Sequence, residues 1–227
     1  IISGDINPIH KVYKNSIKPN FGKPIMHGIH LFVYALNILS KKKILISKIK
    51  VNFLKPVFVE NELSFYINFS KNIFYIVQNN IICVKLFFEV DKFNNLSLLS
   101  KPYKKCKRLK KPKNLNINKI NIDKKIKFKH TCNYKKAKKY FPHIYKNYGT
   151  LISSELIDLS YLIGMECPGY YSTFSELTVR IFDKDFKQIY FVNNLDKRFG
   201  LINIKLKTNS LDGSLKAFFR PKPIINP

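Results

Sequence analysis

Residues 29–39 form a predominantly apolar run that opens after Gly28 and stops at the lysines 41–43. The run is too long for an ordinary strand, so it predicts a buried helix with Gly28 at its N-terminus. Four shorter stretches follow, residues 44–53, 62–69, 73–78 and 81–90, rich in Ile, Val, Phe and Tyr and separated by Pro56 and the Asn79-Asn80 pair. These read as strands with turns between them. A long hydrophobic helix followed by a four-stranded antiparallel meander predicts a sheet wrapped on a helix.

The plan recurs loosely in the second half. Gly149 precedes an apolar run over residues 151–163, and strand-like stretches follow at 174–182, 189–192, 201–207 and 214–219, with a turn expected at Asp212-Gly213. Between the halves the chain changes character. From Lys101 to Gly149 there are 17 Lys and one Arg against a single Asp, a local balance of +17. Its Pro-containing start, residues 101–112, reads as a solvated connector. Three segments result: a first unit over residues 1–100, a basic linker with a helical segment over 101–148, and a second unit over 149–227.

The 227 residues carry a formal charge of +27. Lys supplies 37 of the 41 cations, while Asn and Ile are abundant and Ala occurs three times. Phosphate-gripping proteins favour Arg for its bidentate fork, so this excess of Lys reads first as A+T-rich codon usage and only then as nucleic-acid binding. At 45% hydrophobic, the chain can fill a core, which excludes a wholly disordered basic tail. No run of about 18 uncharged apolar residues exists, so no membrane-spanning helix is expected. Cys83, Cys106, Cys132 and Cys167 form no CxxC pair, which points to reduced thiols in a cytoplasmic compartment.

Candidate chemistry gathers at the start. Residues 3–10, Ser-Gly-Asp-Ile-Asn-Pro-Ile-His, carry Asp5, Asn7 and His10 on a turn-rich loop, where a carboxylate and an imidazole five positions apart can converge on one point. Taken singly, Asp5 is also a plausible capping residue and His10 a surface imidazole. His27 and His30 read as structural histidines, since no carboxylate or cysteine beside them completes a metal set. Residues 164–172, with two glycines and a proline, form a shaped loop whose Tyr170 and Tyr171 either contact a ligand or belong to a tight connector.

Three elements in order carry a family resemblance: Ser3-Gly-Asp-Ile-Asn-Pro-Ile-His10, Phe21-Gly-Lys-Pro-Ile-Met-His-Gly28, and Phe53-Leu-Lys-Pro-Val-Phe-Val with Glu60-Asn-Glu-Leu63. Together they resemble the signature of MaoC-like hot-dog hydratases and dehydratases, the (R)-specific enoyl-CoA hydratase group, over about the first 95 residues. The resemblance implies an α+β double hot-dog: two antiparallel sheets, each wrapped around a long central helix, with the second half lacking its own catalytic pair. It implies reversible hydration of an enoyl thioester, equivalently dehydration of a 3-hydroxyacyl-CoA or acyl-carrier-protein thioester, without metal or organic cofactor. Asp5 and His10 become the acid/base pair, with Asn7 and the Gly28 backbone N–H as substrate or oxyanion contacts. Phe32 and Leu36 stand where family members often have a small or hydroxylated residue lining the site, so they are expected to line the acyl pocket, with Tyr170 and Tyr171 as further candidates. Family members also carry a strand and a helical segment ahead of the first motif, and this sequence starts too late to contain them. A homodimer stays open as an assembly, and neither a nucleic-acid nor a membrane partner is expected. The alternative reading is a non-catalytic hot-dog that holds acyl thioesters or a protein partner.

Overall fold

Helix α1 (Gly28–Lys41) buries Ile29, Leu31, Phe32, Val33, Ala35, Leu36 and Leu39. Apolar residues so nearly all round a helix require cover on every side, and most of it comes from the sheet that follows. The computed structural model describes residues 2–11, 21–90, 103–182 and 188–220. The boundary expected at residue 100, and the first two residues of the basic stretch, lie outside these.

The strands of the first half are β1 (Ile46–Phe53), β2 (Ser64–Asn68), β3 (Ile73–Gln78) and β4 (Ile81–Val90). The Asn79-Asn80 turn has both residues at positive φ, +51° and +62°. That is the geometry of a two-residue hairpin, which asparagine tolerates better than most residues. A two-residue strand β5 (Ile126–Lys127) and a short helix α2 (Tyr134–Tyr140) precede α3 (Pro142–Tyr161), which a π-helical turn at Leu162–Glu166 extends. Helix α3 is broken at Gly149, whose φ of +74° and ψ of +179° suit glycine alone, so the long second helix starts just after that glycine. Strands β6 (Thr173–Ile181), β7 (Ile189–Asp196), β8 (Leu201–Lys207) and β9 (Leu211–Phe218) complete the second half.

The order across the sheet is β2-β3-β4-β1-β6-β9-β8-β7-β5. The arrangement is two copies of one meander set back to back. The two sheets implied by the family resemblance are joined into one, because β1 and β6 pair antiparallel through Lys48–Asn52 and Glu176–Arg180. This joint hides the strand edge that each half would otherwise expose. Helices α1 and α3 pack on each other, and Asn37 of α1 accepts the His143 and Ile144 amides at 2.9 and 3.3 Å.

Two sequence expectations are corrected here. Asp212-Gly213 is not a turn but lies inside β9, and the turn falls at residues 209–210. A Cβ on Gly213 would stand 2.1 Å from the Thr178 carbonyl oxygen, so glycine permits close strand approach there rather than a reversal. The second correction is partial: residues 103–112 expose all five of their lysines, as a solvated connector should, but the basic linker as a whole packs on the rest of the chain. Pro112, Phe128, Thr131, Cys132 and Ala137 are buried, and three of its cations are engaged with other parts of the chain. The Arg108 guanidinium donates to the Thr131 and Ile2 carbonyls. Lys113 and Lys129 both pair with the buried Glu166. Apolar residues interleaved with the lysines, plus acceptors for these cations, bring the segment down onto the second half.

Candidate active site

The loop carrying Asp5 is shaped by its own polar side chains. Asp5 Oδ1 accepts the Asn7 amide at 2.9 Å, closing an Asx turn. Asn7 then caps a 3-10 turn at Pro8–His10, accepting the Ile9 amide at 3.4 Å. That turn swings His10 back until its Nε2 lies 4.0 Å from Asp5 Oδ2. His10 Nδ1 is 2.8 Å from the Ile25 carbonyl oxygen. A carbonyl can only accept, so Nδ1 carries the proton and the neutral ring presents a bare Nε2 lone pair toward Asp5.

Three groups from elsewhere in the chain complete the cluster. His27, which caps α1, places Nδ1 at 3.3 Å from Asp5 Oδ2 and stacks on His10 with ring centroids 3.6 Å apart. Ser160, near the C-terminus of α3, donates its hydroxyl to the same carboxylate oxygen at 2.8 Å. Gly164, one turn beyond, leaves room for the carboxylate: a Cβ there would lie 2.3 Å from both Asp5 oxygens. The linker holds the loop's other side. Thr131 Oγ1 donates to the Ser3 carbonyl at 2.8 Å, and the Asn133 amide donates to the Ile2 carbonyl at the same distance.

The charges of this cluster follow from its burial. Desolvation alone raises a carboxyl, but the His27 hydrogen bond and the charges of His27 and His10 outweigh it, and Asp5 is held down to about 2. Desolvation, reinforced by His27, lowers His10 to about 4 against the pull of Asp5. His30 is lowered to about 3, mainly by desolvation. At neutral pH the pair is therefore a carboxylate beside a neutral imidazole, a hydrogen-bond acceptor facing a lone pair. At 4.0 Å they are too far apart for a direct bond. The spacing suits one water donating a proton to each, with its oxygen lone pair free.

A cavity of about 180 Å³ opens on this cluster. Asp5, His10 and Gly28 line its polar side, and Leu31, Phe53 and Phe174 contribute apolar wall. The other expected residues sit differently. Asn7 is fully buried and occupied by protein on both sides: its amide donates to the Gly169 carbonyl at 3.0 Å, and its oxygen accepts the Tyr171 amide at 3.2 Å. It staples two loops together rather than facing the cavity. Phe32 and Leu36 have no exposed surface and belong to the central core. The cavity-facing side of α1 runs through Gly28 and Leu31 instead, three positions apart. Tyr170 and Tyr171 line a separate hollow with residues 109–114. The loop turns away there, with Tyr171 at φ +56° and the Tyr170 amide on the Lys113 carbonyl.

Two alternative chemistries fit the geometry less well. Asp5, His10 and His27 bring ligand atoms within 4.8 Å of one another, so Asp5 supplies the carboxylate that the sequence spacing around the histidines lacks. The two imidazoles, however, are stacked at 29°. Two ring planes 3.6 Å apart and so little inclined do not intersect at bonding distance from both rings, so one ion cannot lie in the plane of each. Ser160, His27 and Asp5 do not make a nucleophile relay. Such a relay uses opposite ring nitrogens, whereas Ser160 and Asp5 both approach Nδ1 of His27, each at 3.3 Å.

His27, Ser160, Gly164 and Arg108 were not expected at the site: the sequence reads His27 as structural, Gly164 only as the start of a shaped loop and Arg108 as part of the basic stretch, while Ser160 lies in an apolar helix with no motif of its own.

Comparison with known proteins bears on the family of the first segment and on the fold. Residues 1–82 match the family described as MaoC like domain. No curated protein matches the chain by sequence. Among solved structures, a tesB protein of Mycobacterium avium subsp. paratuberculosis is similar at TM-score 0.51 and 9% identity, covering 87% of this chain and 88% of that one. A MaoC-like dehydratase is similar at TM-score 0.49 and 7% identity over 88% and 86% of the two chains. An acyl-CoA thioesterase II of Mycobacterium marinum is similar at TM-score 0.48 and 8% identity over 90% and 93%. Residues 1–82 are thus similar to the MaoC like domain, and the long helices wrapped by antiparallel meanders give the chain a hot-dog fold.

Proposed function

We propose that the protein catalyses the reversible addition of water to an enoyl thioester, forming an (R)-3-hydroxyacyl thioester of CoA or of an acyl-carrier protein. The observation that carries this reading is the gap between His10 Nε2 and Asp5 Oδ2, 4.0 Å, on a cavity to which Leu31, Phe53 and Phe174 contribute apolar wall. A water held there donates to both groups and turns its oxygen toward C3 of the bound acyl chain.

In the hydration direction the water oxygen bonds to C3 and its proton passes to His10 Nε2. The C2–C3 electron pair moves into the thioester as an enolate. The imidazolium then returns the proton to C2 on the same face, so the catalyst ends as it began. Asp5 stays ionised, orients the water and steadies the transient imidazolium. The Gly28 N–H, at the N-terminus of α1 with the helix dipole behind it, is the donor for the enolate oxygen. The first half supplies the reacting groups and the second half part of the cavity wall.

The test is turnover of trans-2-enoyl-CoA substrates of several chain lengths, followed by loss of the conjugated double bond. Wild-type protein should hydrate at least one of them, and Asp5→Asn or His10→Ala should lower kcat by about a hundred-fold or more without loss of fold. Release of free thiol without hydration would favour hydrolysis instead. Tight binding with neither reaction would favour an acyl-thioester carrier.

A further inference from the structure

Asp5 and His10 come from the first half, yet the oxygen that faces His10 is held by the second. Asp5 Oδ2 receives its shortest hydrogen bond, 2.8 Å, from Ser160. Ser160 is 1% exposed, so no bulk water stands in for that hydroxyl. Gly164 lies four residues further on, which puts it on the same side of the helix. Its missing side chain is the space that the carboxylate fills, since a Cβ would meet both oxygens at 2.3 Å. The backbone between them widens into the π-helical turn at Leu162–Glu166, a distortion that often marks functional sites. A donor followed by a vacancy, one turn apart on a bent helix end, makes a socket shaped for a carboxylate.

We infer that Ser160 is a positioning residue: from α3 it holds Asp5 Oδ2 at the water site, and with Gly164 it makes the second half a working part of the catalytic centre. The role rests on the hydration chemistry proposed above. The physical argument concerns rotation of the carboxylate. Asp5 Oδ1 is pinned by the Asn7 amide. With Ser160 in place, Oδ2 is pinned as well, and the carboxylate plane is set relative to His10. Without the hydroxyl, Oδ2 keeps only the longer 3.3 Å contact with His27. The plane can then turn, and the water loses one of its two fixed acceptors. A loose acceptor costs rate more than binding, because the thioester and acyl chain do not contact it.

The test compares Ser160→Ala with wild type, alone and in an Asp5→Asn background. The readouts are kcat and KM on an enoyl-CoA, and titration of the Asp5 carboxyl carbon by NMR. Ser160→Ala is expected to lower kcat by about ten- to a hundred-fold with KM changed less than about two-fold. It should also move the Asp5 titration to higher pH. In the Asp5→Asn background it should add almost nothing, since the group it positions is gone. A full additional loss there, or an unmoved Asp5 titration, would overturn the inference. If Ser160→Ala does not fold, Ser160→Cys, similar in size but a weak donor, replaces it with the same expected directions. If wild-type protein hydrates no enoyl thioester, the hydratase reading fails, and the Asp5 titration alone decides the role of Ser160.

Discussion

The imidazoles of His10 and His27 stack at 3.6 Å, inclined by 29°, with Asp5 Oδ2 3.3 Å from His27 Nδ1 and 4.0 Å from His10 Nε2. The stack gives His27 two physical tasks. It fixes the plane of the His10 ring, and it supplies a donor to Asp5.

Substitution can separate those tasks. His27→Phe keeps a flat ring against His10 but removes the contact with Asp5, while His27→Ala removes both. We expect kcat to fall about ten-fold for Phe and further for Ala, with the fold retained in each. Equal losses in steady-state kinetics would mean that stacking contributes nothing.

The acid limb of the pH–rate profile should lie well below that of an ordinary histidine. His10 must be neutral to accept the water's proton, and its value is about 4. Asp5, at about 2, is ionised throughout the working range. We therefore expect kcat/KM of the free enzyme to be level from neutrality down to about pH 5 and to fall as pH drops through about 4. An acid limb near 6.5 would contradict this neutral-imidazole arrangement.

The same groups link stability to pH. His10 and His30 are lowered from 6.5 to about 4 and about 3, so between those values and 6.5 the unfolded chain binds more protons than the folded one. Their contribution is complete above pH 6.5 and is lost as pH falls toward 4, amounting to about 3 kcal/mol for His10 if the whole difference is realised. Chemical denaturation at pH 7 and pH 5 should show the folded state weaker at pH 5. Replacing His10 by Gln should reduce that difference.

Arg108 should matter more than a surface cation. Its side chain donates to the Thr131 carbonyl at 2.9 and 2.7 Å and to the Ile2 carbonyl at 3.1 Å, and it packs against Gly4 in the loop that carries Asp5 and His10. Arg108→Ala should cost about 2 kcal/mol in denaturant unfolding and lower activity as well. Arg108→Lys should rescue little, because an ammonium cannot reproduce the planar fork. Full rescue by Lys would show that only charge is needed at that position.

Much of this was legible along the chain because it depends on local pattern. Strands 73–78, 81–90 and 201–207 appear with the expected bounds, since runs of β-branched and aromatic residues between turn signals need no distant information. Misreadings arose where one residue type serves two purposes. Gly213 reads as a turn glycine but is a close-approach glycine, and only the neighbouring strand distinguishes them. Phe32 was placed on the pocket wall by family position, yet the helix rotates it into the core. Lys113 and Lys129 carry no local sign of a partner, and only the tertiary structure buries Glu166 between them.

The sequence by itself determined the helix-then-meander plan of each half and the loop that carries Asp5, Asn7 and His10. Those follow from hydrophobic periodicity and turn chemistry acting within about ten residues. The tertiary structure alone decided that the two sheets join at β1 and β6. It alone brought His27 onto His10, and placed Ser160 and Gly164 around a carboxylate more than 150 residues away in the chain. Those contacts depend on how two helices pack inside one sheet, and no local pattern carries that information.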